Sequence, residues 1–441
     1  MWIEKLDVEN FKLFEKRNFS FHPQFNLIVG ENGSGKTSSM DLLATCISAW
    51  IQDIDSMEYI RDYFFPKNVI RTEVFDYEGE LRNSYSGYIL IETEWQDVPV
   101  ISGEPKIFKS IIKYKSDNND AIVSGYETNH GSRQFRDFIV NRHDFIMPLF
   151  VFYPCNRFWK PSVSENTIQK AMEAQYSRRS GYYDWDHAKH DASEFMLWIQ
   201  KLDIISYQEK SEPLGWRLFQ HALKICLEGF ERLHFMAKEG QPVILFDGMR
   251  RIPFKQLSDG QRTIFALIGD LVRRAVLLNP QLGDKVLEET PGVVLIDELD
   301  LHLHPKWQRR IIEDLRRTFP KIQFIATTHS PFLIQSLREG KLIQLDGETG
   351  EEYSDASLED IAENIQGIEM PQKSLRFRQM MEAAEAYYKH LHECADETDP
   401  QTQSLKQRLD ELSIPFSDDP AFAAFLKFER DTLIAKEEKE G

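Results

Sequence analysis

Gly30-Glu31-Asn32-Gly33-Ser34-Gly35-Lys36-Thr37 is the stretch on which the reading of this chain turns. It has the form G-x-x-x-x-G-K-[ST], which cradles phosphate when it stands between a strand and a helix. Both flanks are present. Phe25-Asn26-Leu27-Ile28-Val29 is short and almost wholly apolar, and predicts a buried strand. Beyond the loop, Met40, Leu43, Ala44 and Ile47 recur at i, i+3, i+4 and i+7 and predict one face of a helix over 38–51. Each residue type has its reason. Gly30, Gly33 and Gly35 let backbone N–H groups of the loop, Asn32 and Ser34 included, approach phosphate oxygens, and the helix start adds its positive end. Lys36 neutralises the β- and γ-phosphates, and Thr37 can place its hydroxyl on Mg²⁺.

The chain around this loop has 441 residues, 41% of them apolar, with 53 Lys+Arg against 71 Asp+Glu and a formal charge of −18. That length and apolar share suit a globular fold with one large core or two modest ones, and exclude a mostly disordered chain. No apolar run approaches the roughly 18–20 residues of a membrane helix. The opening Met1-Trp2-Ile3-Glu4-Lys5 reads as a charged strand and not as a signal peptide. Cys46, Cys155, Cys226 and Cys394 lie far apart without a C-x-x-C pair, which fits a reducing cytoplasm. The acidic balance argues against a whole surface that binds nucleic acid non-specifically, and leaves room for a local basic groove.

Period and composition divide the chain into four stretches. Residues 1–155 read as short strands around the loop and its helix, ending in the buried run Pro148-Leu149-Phe150-Val151-Phe152-Tyr153. Residues 156–240 are mostly helical in pattern and rich in Arg, Tyr and Trp, with Leu218, Ala222, Ile225 and Phe230 as one stripe. Strand signals resume over 241–350, at Val243-Ile244-Leu245-Phe246, 292–298 and 321–328. Residues 351–441 turn helical and acidic, punctuated by Pro400, Pro415 and Pro420.

Three further motifs carry chemistry. Val293-Val294-Leu295-Ile296-Asp297-Glu298 is an apolar strand ending in two carboxylates. Near the loop, Asp297 would hold the Mg²⁺ shell and Glu298 would polarise an attacking water. Asp300-Leu301-His302-Leu303-His304-Pro305 follows directly. His302 and His304 have no third or fourth ligand nearby and read as structural or interface residues, while Pro305 opens a helix with Trp307, Ile311 and Leu315 inward. Leu257-Ser258-Asp259-Gly260-Gln261-Arg262 precedes a helix with the stripe Ile264, Leu267, Ile268 and Leu271. Ser258 and Gln261 have capping-box spacing, and a capped, glycine-bearing helix start is equally an anion site.

The order of these motifs, followed by Thr327-Thr328-His329-Ser330, resembles the ABC-type ATPases of the SMC, RecF and overcoming-lysogenisation-defect group. The resemblance implies an α/β fold: an ABC-type P-loop ATPase head with a mixed central sheet flanked by helices and an antiparallel β lobe, plus a helical arm and a helical C-terminal region. It implies ATP and Mg²⁺ as ligands. Lys36, Thr37, Asp297, Glu298, Asp300 and His329 would serve one subunit, with His329 sensing the γ-phosphate. Ser258, Gly260 and Gln261 would face the nucleotide of a second subunit in a head-to-tail dimer or higher oligomer. The local alternative for His329 is that it merely precedes a cap, with Ser330 as N-cap and Pro331 as first helical residue. Gln169, Gln175 and Asn156-Arg157 are candidates for the adenine and Q-loop contacts.

Lys36 and Ser258 stand 222 positions apart, so an arm is inserted that is far shorter than the coiled coils of chromosome-organising SMC proteins. The opening Val8-Glu9-Asn10-Phe11-Lys12 resembles RecF-like starts. Arg157, the stretch 179–183, Phe195-Met196-Leu197-Trp198 and the helical end resemble PtuA-type ATPases of Septu anti-phage systems, including retron-associated versions. After Ser330 there is no Asp-x-Asp of a TOPRIM nuclease, and His390, His392 and Cys394 do not make an HNH site. The resemblance therefore implies a cytoplasmic, Mg-dependent ATPase that controls a separate nuclease, of the HNH, PtuB-like kind. DNA or retron RNA/DNA is a further partner of such a complex, and no membrane is. Two alternatives stay open: a RecF-like DNA-repair clamp, and a nucleotide-gated scaffold that does not hydrolyse.

Overall fold

The structure, a computed structural model, describes residues 1–51, 72–77, 80–85, 88–98, 108–117, 120–122, 126–128, 144–155, 176–186, 192–236, 241–346, 356–365, 367, 375–394 and 399–413. The chain divides into two compact units, Met1–Ile361 and Ala362–Gly441. Asn156, Arg157, Gln169, Gln175, His187–His190 and the prolines 415 and 420 lie outside the described residues.

The first unit opens with β1 (Trp2–Phe11), β2 (Phe14–Ser20), β3 (Phe25–Val29) and α1 (Lys36–Ile51). Strands β4 (Thr72–Tyr77), β5 (Glu80–Tyr85), β6 (Tyr88–Gln96), β7 (Phe108–Asp117), β8 (Asp120–Ile122), β9 (Tyr126–Thr128) and β10 (Leu149–Tyr153) follow. Next come α2 (Ala192–Glu209), α3 (Leu214–Cys226), β11 (Phe230–Met236), β12 (Gln241–Phe246), β13 (Arg250–Pro253) and α4 (Asp259–Leu278). The unit closes with α5 (Val286–Glu289), β14 (Gly292–Ile296), α6 (Pro305–Gln308), α7 (Ile311–Thr318), β15 (Ile322–Thr327), α8 (Pro331–Ser336), β16 (Lys341–Gln344) and the start of α9 (Leu358–Asn364).

Five strands form the sheet that positions the site, in the order β10-β14-β15-β3-β16, every pairing parallel. Strands β3, β10, β14 and β15 are buried along their whole length, which is why they read as largely apolar runs, broken only by Asn26, Gln323 and Thr327. Antiparallel pairing belongs to a separate sheet, β2-β1-β6-β7-β8 with β9 on β7, to the smaller β11-β12-β13 sheet and to the β4-β5 pair. The central sheet is thus parallel throughout rather than mixed, and the expected antiparallel β lobe is a separate sheet. In the order of the parallel strands, β15 stands between β14 and β3, so the loop and the acidic strand end face each other across the end of β15.

One hydrophobic core joins both sheets to α1, α2, α3 and α4. Met40, Leu43, Ala44 and Ile47 are all buried, as the helical period requires. The expected arm is described over 176–186 and 192–236, and its helices share this core. Phe195 presses on Gly269 of α4, where a β-carbon would come within 1.9 Å of the ring. The stripe Leu218, Ala222, Ile225 and Phe230 is not one helix. Helix α3 ends at Cys226, Gly229 turns the chain with φ +74°, and Phe230 starts β11. Likewise the helix opened by Pro305 breaks after Gln308, and Ile311 and Leu315 are buried on α7.

In the second unit, α10 (Leu375–Cys394) and α11 (Pro400–Ser413) pair through Met380, Ala383, Ala384, Tyr387 and Leu409. His390 lies 3.3 Å from Asp399 there. No helix among the described residues is long and apolar enough to cross a membrane.

Candidate active site

The loop leaves β3 and runs into α1, whose first residue is Lys36. Gly33 and Gly35 have φ +88° and +104°, a region that side chains strain to enter, and Gly35 also lies under the Phe14 ring. Lys36 is buried, and its Nζ donates to the carbonyls of Gly30 (2.8 Å) and Glu31 (2.7 Å). Burial pulls its pKa below the ordinary lysine value, against the opposing charges of Asp346, Asp297, Glu298 and Asp300. Asn32 is exposed at the tip, and Ser34 Oγ is buried with no hydrogen-bond partner among the described residues.

Thr37 Oγ1 donates to Asp297 Oδ2 at 3.3 Å, joining residues 260 positions apart. Asp297, at the end of β14, is buried; its Oδ1 accepts from Thr327 Oγ1 at 2.6 Å, and its N–H donates to Tyr153 O of β10. The same Thr327 hydroxyl accepts from the Glu298 N–H at 2.7 Å. Glu298 has φ +50°, a conformation that costs a residue with a side chain about 1–3 kcal/mol and is held by its surroundings. Asp300 Oδ1 accepts from Thr328 Oγ1 (2.6 Å) and from the His329 N–H (3.3 Å). His329 is exposed, while Ser330 caps α8 by accepting from Phe332 and Leu333 N–H. The cap reading of this segment therefore holds, and it leaves His329 on the same rim as Glu298 and Asp300.

The oxygen donors Thr37 and Asp297 suit a hard divalent cation such as Mg²⁺. The orphaned Ser34 hydroxyl and a lysine satisfied only by loop carbonyls suit an anionic ligand.

Ser258, Gly260 and Gln261 form a separate group at the start of α4. The capping box is complete: Ser258 Oγ accepts from the Gln261 N–H, and Gln261 Oε1 accepts from the Ser258 N–H at 3.1 Å. Their neighbours within the chain are His302 and Trp307, against which Gly260 packs. His302 has φ +64°, and His304 Nδ1 accepts from the Lys306 N–H as the cap of α6. Among the described residues no three His, Cys, Asp or Glu converge as a metal site.

Three residues with no role assigned from sequence belong to this arrangement. Thr327 and Thr328 orient the carboxylates, and Asp346 accepts from the Glu31 N–H at 2.5 Å. Asp346 ends an apolar run, Leu342-Ile343-Gln344-Leu345, much as Asp297 does. That pattern marks a strand end without showing which loop it meets.

The family described as "AAA domain, putative AbiEii toxin, Type IV TA system" matches residues 25–335. The chain is similar to the "Retron Vc95 probable ATPase" of Vibrio cholerae serotype O1 biovar El Tor, at 22% identity over 76% of this chain and 71% of that protein. It is 28% identical to the "Retron Ec83 probable ATPase" of Escherichia coli over 75% of this chain and 68% of that one. The Septu protein PtuA of Bacillus mycoides (strain KBAB4) is 43% identical over 100 residues, 22% of this chain and 13% of that protein. The expected likeness to retron-associated and Septu ATPases is met.

Proposed function

Because the chain belongs to that AAA-domain family, we propose that it is the ATP-binding and ATP-hydrolysing subunit of an anti-phage defence complex, working as a dimer or larger assembly around ATP. The observation that carries this reading is the Thr37–Asp297 contact, which joins the phosphate loop to the acidic strand end across 260 positions of sequence. The retron and Septu names of its relatives support the defence role.

In this reading the amides of Gly33, Ser34 and Gly35 cradle the phosphates, and Lys36 exchanges its two loop carbonyls for phosphate oxygens. Thr37 and Asp297 would hold Mg²⁺, which would supply charge to offset that of the phosphates. Glu298 orients the water and accepts its proton as the water oxygen bonds to the γ-phosphorus and the bond to the β–γ bridging oxygen breaks, leaving ADP and inorganic phosphate. His329, just beyond the end of β15, reads the γ-phosphate, and Asp300, beyond the end of β14, accepts from the His329 N–H. Ser258, Gly260 and Gln261 of a second copy complete each site, so that hydrolysis loosens the pair. The effector is a separate, HNH-type nuclease, and nucleic acid is a further component of the complex.

Glu298→Gln keeps the size and polarity of the side chain while removing the base. It is expected to leave ATP binding unchanged and to lower turnover by roughly 10²–10³-fold. Phosphate release at the wild-type rate would take Glu298 out of this role. Analysis of what co-purifies with the chain, proteins by mass spectrometry and nucleic acid by its ultraviolet absorbance and nuclease sensitivity, tests the partner: a small nuclease supports the defence reading, and DNA alone favours a repair clamp.

A further inference from the structure

Gly260 is a glycine because of its neighbours. Its φ is not positive, but a β-carbon there would lie 2.7 Å from His302 O and 2.7 Å from Trp307 Cζ3. The start of α4 is therefore seated directly on the 298–307 segment of its own chain. That segment is held at both ends. Leu299 N–H donates to Thr327 O at 2.9 Å, and the Gln308 amide donates to Leu303 O at 2.8 Å. Gln308 Oε1 in turn accepts from Ser330 Oγ at 2.7 Å, beside His329. Glu298 and His302 both hold left-handed conformations, which fixes the path of the segment between them.

We propose that Trp307 is a positioning residue: its ring, packed on Gly260, sets the start of α4 relative to the segment carrying Glu298. The inference rests on the two-copy reading above. Ser258, Gly260 and Gln261 reach the nucleotide of the second copy, so their placement in one chain is tied to the carboxylates and histidine that serve that chain's own nucleotide. A change at one nucleotide is thereby delivered to the other through two side chains, Gln308 and Trp307. Neither is assigned to nucleotide, and the bonds of Gln308 run to Asp300, Leu303 and Ser330 rather than to the phosphate loop.

The test uses the full-length chain with Trp307→Ala and Trp307→Phe. Fluorescent ADP binding reports the loop alone. ATP turnover with Glu298 intact, and ATP-driven pairing in the Glu298→Gln background, report the completed site. Trp307→Ala is expected to bind ADP within twofold of wild type, yet to lose at least tenfold in kcat and to need at least tenfold more ATP for half-maximal pairing. Trp307→Phe, which keeps a ring against Gly260, is expected to recover most of both. Unchanged kcat and pairing in Trp307→Ala overturn the inference, as does a parallel loss of ADP binding in both variants, the mark of general damage. If the Glu298→Gln protein with intact Trp307 stays a single copy at saturating ATP, the two-copy reading itself has failed and the inference falls with it.

Discussion

Glu31 is gripped twice. Its carbonyl accepts from Lys36 Nζ, and its N–H donates to the carboxylate of Asp346. Asp346 therefore acts on the loop in two ways of opposite sign. As an acceptor it fixes the loop entrance; as a charge it opposes an arriving triphosphate, and it heads the carboxylates that favour the protonated form of Lys36. Asp346→Asn keeps an acceptor and removes the charge. It is expected to tighten ATP binding by about threefold at low salt, with the gain fading as salt screens it. Asp346→Ala loses the acceptor as well and is expected to weaken binding by about fivefold, the worth of a lost hydrogen bond. Calorimetric titration at two salt concentrations separates the two; a shift in the same direction for both variants would refute the double role. Lys36, Thr37 and Asp297 were legible in sequence because short motifs with local causes mark them. Asp346 was not, because its nearness to Glu31 depends on the parallel register of β16 on β3, Gln344 opposite Val29, and no local pattern encodes that pairing.

Helix α4 does more than present a capped end. Its apolar stripe was legible, yet a period of 3.6 cannot distinguish a solvated polar face from a buried one. Asp270, Arg273 and Arg274 are all buried. Asp270 accepts from Arg274 (2.7 Å), Arg273 (3.0 Å) and the Tyr153 hydroxyl (2.8 Å). Arg274 also donates to the carbonyls of Gly181 and Tyr183. The network thus ties α4 to the end of β10, whose Tyr153 carbonyl holds the Asp297 N–H, and to the 178–184 turn. Burial pushes the Asp270 carboxyl up, but Arg274 and Arg273 overrule it and hold it at about 2, below the ordinary 3.8. A depressed value means that the stabilisation is complete above the ordinary carboxyl range and is lost as pH falls toward about 2. Asp270→Asn strands two buried guanidinium groups and is expected to cost about 3–5 kcal/mol near neutral pH in urea unfolding. The gap between wild type and variant is expected to stay constant above pH 5 and to narrow as pH falls through the ordinary carboxyl range toward 2. A gap that persists unchanged at the acid end would show that the ionised carboxylate is not what holds the arginines.

At the scale of the whole molecule, residues far apart in sequence meet because the parallel sheet gathers strand ends. Strands β3, β14, β15 and β16 deliver the phosphate loop, the Asp297–Glu298 pair, His329 and Asp346 to one rim. The existence of those strands was readable from their apolar runs; their order was not, since it is decided by pairings between residues some 300 positions apart, such as Phe25 with Phe324. All the residues assigned to the site fall between Gly30 and Asp346, inside the unit Met1–Ile361. The paired helices α10 and α11 have a hydrophobic cluster of their own. On the proposed function, holding nucleotide is then a property of the first unit. A chain ending after residue 367, which keeps α9 whole, is expected to bind ADP within about threefold of the full chain, a difference of less than 1 kcal/mol. Fluorescent ADP titration of the two proteins, with circular dichroism to verify folding, measures this directly. A folded, truncated chain that binds tenfold more weakly would assign the second unit a part in holding the phosphate loop, and the site could no longer be treated as complete within one unit of the chain.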